Sequence, residues 1–209
     1  MARRVGHLRR VAGLCFVVAA AALAGVPAAR AADRTVAVAL FYAPTPLTTY
    51  VGVVPEEYAS AALSDRLAAA SGGHFSVVPP ARVRVEEAAL RWRGADALRF
   101  ARLGELARAA GADRLVVGWI QSLVLDRLGG GMGTDFSAGG DGGGALDGMA
   151  VVTVQIFDAP QGRIVYEGRV TGYAVGAAAS RVVEATLDDA ARRGAAQLAG
   201  PLTAAPGGT

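Results

Sequence analysis

Two apolar runs joined by four residues constrain this chain more than any other feature. "MAVVTVQIFD" (149–158) and "RIVYEGRVTGYAV" (163–175) flank "APQG", in which Pro160 and Gly162 are turn formers. So short a connection between two β-rich runs makes an antiparallel hairpin. Side chains alternate between faces along a strand. Val152, Val154 and Ile156 therefore fall with Ile164, Tyr166 and Val170 on one face, expected to be buried. Thr153, Gln155, Arg163, Glu167, Arg169 and Thr171 fall on the other. One apolar and one wet face is the pattern of a sheet covered by helices mainly on one side.

The rest of the chain supplies the other strands and those helices. "RTVAVALFY" (34–42) is a continuous apolar run and reads as a buried strand. Pro55, followed by Glu56 and Glu57, starts a helix over about 55–71, which Gly72 and Gly73 end. "HFSVV" (74–78) is a short second strand stopped by Pro79-Pro80, and residues 82–92 form a short helix. Asp96 is expected to cap the next helix, which Gly111 closes. "RLVVGWIQSLVLDRL" (114–128) is the third strand, and Ser180 opens a last amphipathic helix. The order β-α-β-α-α-β-β-β-α predicts a single two-layer α/β (α+β) domain over 32–200, with a mixed sheet of about five strands. Its first two strands are parallel through a right-handed crossover. The tail, 201–209, is Pro/Ala/Gly-rich and expected to be disordered.

The amino-terminal segment is read as an export signal. Arg3, Arg4, Arg9 and Arg10 precede an apolar run from Val11 to Val26, and Ala29-Arg30-Ala31 follows as a cleavage site. The run is shorter than the ~20 residues a membrane-spanning helix needs. Cys15 lies inside the run, whereas a lipid-anchor cysteine follows it. The expectation is a signal peptide over 1–31, cleaved near Ala31, and a periplasmic or outer-membrane-associated product without a lipid anchor. The chain carries 21 Lys+Arg against 18 Asp+Glu; five of the bases and none of the acids lie in 1–31, leaving 16 against 18, or −2. No basic field remains to argue for nucleic acid. The only cysteine leaves with the signal, so no disulfide or thiolate metal site is expected.

Catalytic chemistry finds little to work with. His7 lies in the signal, which leaves His74 alone at a strand start as the base of any triad. One histidine cannot hold zinc. The pairs Glu56-Glu57, Glu86-Glu87 and Asp188-Asp189 are adjacent in sequence, so on helices they point roughly 100° apart and do not face one another. They read as solvated faces. Trp92 and Trp119 read as core. Neither a catalytic residue nor a cofactor is expected.

The glycine-rich stretch 129–148, "GGGMGTDFSAGGDGGGALDG", separates the third and fourth strands. A phosphate loop would need a lysine and a following helix; the chain has no lysine, and a strand follows. Asp135, Asp141 and Asp147 are weak candidates for calcium, since their spacing of six matches no EF-hand. A membrane hairpin is disfavoured, because Met132, Phe136 and Leu146, with Met149 just after them, are the only large apolar residues it would offer. A mobile connection remains, with Phe136 and Met132 as docking anchors for a partner. Tyr42 and Tyr50 flank the 43–55 loop and join them as partner-binding candidates, with burial as the plainer reading.

Four phrases together resemble a superfamily of bacterial envelope proteins that includes CsgG, LpoB and the amino-terminal domain of TolB. They are "TVAVALF" (35–41), "HFSVVPPARV" (74–83), "GADRLVVGWIQS" (111–122) and "FDAPQGRIVYEGRVTG" (157–172). The resemblance implies a protein-binding envelope role, by activating a partner enzyme or by forming a secretion ring. Such relatives are commonly lipoproteins, and this chain departs from them in its cysteine. The expected function is a non-catalytic exported cell-envelope protein acting through protein–protein interaction, with another envelope protein or its own copies as partner. Two alternatives stay open: an oligomerising subunit of a secretion or pore complex, and a ligand-binding or hydrolytic domain.

Overall fold

The structure, a computed structural model, describes residues 34–44, 52–128 and 145–204. In chain order the elements are β1 (Arg34–Val38), α1 (Pro55–Ala70), β2 (Phe75–Val77), α2 (Pro80–Ala89), a 3-10 turn (Gly94–Leu98), α3 (Phe100–Ala110), β3 (Arg114–Arg127), β4 (Leu146–Asp158), β5 (Arg163–Gly176) and α4 (Ala179–Thr203). The strands form one five-stranded mixed sheet in the order β2-β1-β3-β4-β5. β1 pairs parallel to β2 and β3, and the two long hairpin pairings, β3 with β4 and β4 with β5, are antiparallel. Element order and mixed α+β class are those the sequence predicts.

α1 and α4 cover one face of the sheet. Leu63 and Leu67 of α1 and Val183, Leu187 and Leu198 of α4 pack there with Val36, Val38, Val116, Ile120, Val152, Val154 and Ile156. Removing any one of these large side chains is worth about 2–5 kcal/mol. α2 and α3 cover the other face, but only at its β1/β3 end, where Val83, Leu103 and Leu106 meet Ala37, Leu115, Val117 and Phe157. β1 and the start of β3 are thus buried on both sides, which is why they read as continuous apolar runs. β4 and β5 alternate because one of their faces lies beyond the reach of α2 and α3.

Close approaches set the layer spacing. A Cβ on Gly118 would stand 2.6 Å from Phe41 Cζ, so the Phe41 ring lies flat on β3 where other residues would hold it off. A Cβ on Gly172 would meet the α4 backbone, 2.2 Å from Thr186 O, so α4 rests directly on β5 there. Gly111 ends α3 at φ 67°, the left-handed conformation expected of it.

Four local expectations are corrected. Ile164 packs with Phe157 on the face opposite Tyr166, because the β4–β5 register shifts between Ile156 and Phe157 and leaves Val165 as a bulge. Asp96 does not cap α3; its carboxylate accepts the Arg93 N–H at 2.9 Å inside the 3-10 turn. Glu87 is not a solvated acid but 5% exposed, accepting the Leu40 N–H at 2.6 Å and pairing with Arg84 at 2.6 Å. Pro201 to Thr203, placed in the tail by sequence, continue α4, with Leu202 fully buried. The reason is a clamp of two arginines on the helix end. Arg114 donates to the carbonyls of Pro201 and, at 3.0 Å, Ala204; Arg34 donates to Leu202 at 3.3 Å and to Ala204. Cations at a helix carboxyl end satisfy its orphan carbonyls and its dipole.

Candidate interaction surface

Beyond α2 and α3, no helix among the described residues covers the second face of β3, β4 and β5, and cross-strand register arranges its side chains in rows. Trp119, Thr153 and Arg169 form one row, followed by Ser122, Val151 and Thr171. Val124, Met149 and Tyr173 come next, and Asp126, Asp147 and Val175 complete the far end. The near rows are polar and internally satisfied: Gln121 donates to Thr153 at 2.9 Å and Gln155 to Glu167 at 2.7 Å. The Val124 row is apolar and partly open, with Tyr173 52% exposed and Val124 also exposed, and beyond it Val175, 63% exposed, stands beside the acids Asp126 and Asp147.

Tyr173 is held from behind. Its backbone N–H donates to Asp189 Oδ2 at 3.1 Å, and the Arg193 guanidinium sits 5.9 Å from its ring centroid. Asp189 also binds Arg192 and Arg193. Burial pushes its carboxyl up, but the bonds from Arg192, the Tyr173 amide and Arg193 outweigh this and hold it below the usual carboxylate range. The aromatic ring is therefore presented from a braced strand.

The other candidates sit elsewhere. Tyr42 bridges to Trp119, and its ring covers Gly94, where a Cβ would come within 2.8 Å. It is a half-buried joint between the 3-10 turn and β3, not an open rim. Asp147 stands directly opposite Asp126, a like-charge cross-strand pair. Tyr50, Met132, Asp135, Phe136 and Asp141 lie outside the described residues. Trp92 is half-buried under Arg102, 5.9 Å from the ring centroid, and Trp119 is half-buried on the uncovered face. His74 is exposed in the turn before β2. Sequence reading missed the row Val124–Met149–Tyr173. Its signal was present in the alternation of β3 past Gly118, but only the register between three strands shows that the residues adjoin.

Among the described residues no group of three or more His, Cys, Asp and Glu gathers to hold a metal. No described helix is long and apolar enough to cross a membrane. A groove of about 340 Å³ between α1 and α4 is walled by Tyr58, Ala62 and Ala69 and by Arg66, which binds Asp188 at 2.6 Å. Burial, then Asp188 and Glu184, raise the Tyr58 phenol. That shift favours the protonated phenol.

No protein-family model matches the chain. No curated protein matches it either. Solved structures do. The lipoprotein GNA1162 from Neisseria meningitidis is 13% identical over 72% of this chain and 90% of that one, with a TM-score of 0.47. LpoB of E. coli is 14% identical over 69% of this chain and 58% of that one, at 0.45. The LpoB C-terminal domain from Salmonella enterica is 15% identical over 66% and 82%, at 0.39. These are loose likenesses, at identities and scores that assign no family.

Proposed function

We propose that this is a non-catalytic, exported cell-envelope protein that acts by binding another protein, and that the open end of the β3–β5 face is the contact. The observation that carries it is the row in which half-buried Met149 lies between exposed Val124 and Tyr173, with exposed Val175 beside it. A contiguous apolar patch rimmed by charge, here Asp126, Asp147 and Arg127, is what a partner covers. A braced aromatic side chain is the residue type that anchors such contacts. Met132 and Phe136, in the segment joining β3 to β4, are proposed to extend the patch. Export is supported by Arg3, Arg4, Arg9 and Arg10, the apolar run after them and Ala29-Arg30-Ala31. The balance of −2 left by their removal, on 16 bases against 18 acids, supports a protein partner over nucleic acid.

The test is affinity capture from envelope extracts of the source cell. The wild-type chain is compared with Val124→Asp/Val175→Asp, and with Glu105→Lys on α3 as a control. A species retained by the wild type and the control but lost with the double variant supports the reading. Retention indifferent to the double variant contradicts it. A retained species that is the chain itself in a detergent-stable ring favours the secretion-subunit alternative.

A further inference from the structure

The two edges of the sheet differ. β2 is three residues long, whereas β5 runs for 14 and is exposed along its margin. A long unpaired strand edge is a template for another strand. Part of this one is already closed: the Tyr173 N–H points outward to Asp189, and α4 lies on Gly172. By strict alternation the backbone groups of Glu167, Arg169 and Thr171 also point outward. No described group hydrogen-bonds them there. α4 lies along β5 on the other face of the sheet, from Thr186 and Ala190 over Gly172 to Gln197, which accepts from the Tyr166 hydroxyl at 3.4 Å, and it takes none of these three backbone groups as partners.

We propose that a second copy of this chain pairs here, β5 to β5, antiparallel about a two-fold axis through Gly168. Charge selects that register. The axis at Gly168 sets Glu167 of each copy opposite Arg169 of the other, twice, and Val165 opposite Thr171. An axis through Glu167 would oppose two glutamates, and one through Arg169 two arginines. Like charges directly opposite destabilise a strand pair, and opposite charges favour it. A slip by one residue would turn the outward backbone groups away from their partners. The product is one continuous sheet of both copies with both open faces on the same side. The pairing uses the edge, not the far rows, so it stands or falls independently of the contact proposed above.

Sedimentation velocity on the chain from Ala32, over a concentration series, tests it. The wild type is expected to show a concentration-dependent dimer. Glu167→Arg and Arg169→Glu should each weaken it by about tenfold or more, and the double swap Glu167→Arg/Arg169→Glu should restore it. Circular dichroism melts confirm that each variant is folded. A wild type that stays monomeric into the hundred-micromolar range overturns the proposal, as does a dimer that all three variants leave unchanged, or one that the double swap fails to restore.

Discussion

Arg114 and Asp158 face each other across β3 and β4 at their buried ends, Nε to Oδ2 3.5 Å, with side chains 4% and 6% exposed. The pair joins three parts of the chain. Asp158 also accepts the Gln161 N–H at 3.0 Å and so shapes the β4–β5 turn, while Arg114 holds the end of α4. Burial, then the nearby charge of Arg34, lowers the Arg114 guanidinium from its ordinary value, and Asp158 opposes the shift. Removing one member of a buried pair strands the other. Asp158→Ala should therefore cost about 3 kcal/mol, read as a lower denaturant midpoint at unchanged slope. Asp158→Asn, which keeps an acceptor for Gln161, should cost less.

Gly118 and Phe41 give a sign that propensity alone gets wrong. Alanine in a strand is ordinarily favoured over glycine by roughly 0.5–1 kcal/mol. Here the new methyl would lie 2.6 Å from the Phe41 ring. Gly118→Ala is expected to destabilise by about 1–3 kcal/mol. Combined with Phe41→Leu it should cost less than the two changes added together. Thermal melts of the four-member cycle measure that coupling.

Asp189 and Asp96 give the acid limb of stability. Both carboxyls are held below the ordinary aspartate value, Asp96 mainly by the Arg93 amide and Asp189, against the opposing effect of burial, by Arg192, the Tyr173 amide and Arg193. A depressed folded pKa means the unfolded chain binds protons first. The stabilisation is then complete above the ordinary aspartate range and is lost as pH falls through the lower folded values. Melting temperature should drop below pH 4, and Asp189→Asn should flatten that drop while lowering stability at pH 7.

Asp126 and Asp147 run the other way. Two carboxylates opposite each other repel, so Asp147→Asn should raise stability by about 0.5 kcal/mol in calcium-free buffer. Calcium that stabilises the wild type but not Asp147→Asn would instead assign the aspartate a ligand role.

What could be read from sequence was what depends on local pattern. Pro55, Gly111 and Gly162 punctuate helices and the turn by conformations that neighbours do not alter, and they sit where expected. Gly118 was legible as a close-approach site, though not that Phe41 fills it. The misses are all long-range. Glu87 looks like any helix acid until β1 delivers the Leu40 N–H to it. Ile164 changes face through one bulged residue, Val165, which no alternation rule places. Pro201 reads as a helix breaker, yet two arginines from distant strands hold the last turn around it. The apolar row at the sheet's far end needed three strands in register before its members became neighbours.

The open face is the central claim, and photo-crosslinking in the source cell addresses it directly. A photoreactive phenylalanine analogue is placed at Val124, at Val175 and, as control, at Glu105. The expected result is one discrete adduct with a different protein from positions 124 and 175 and none from 105. Equal labelling from all three positions, or no adduct from the face, would contradict it.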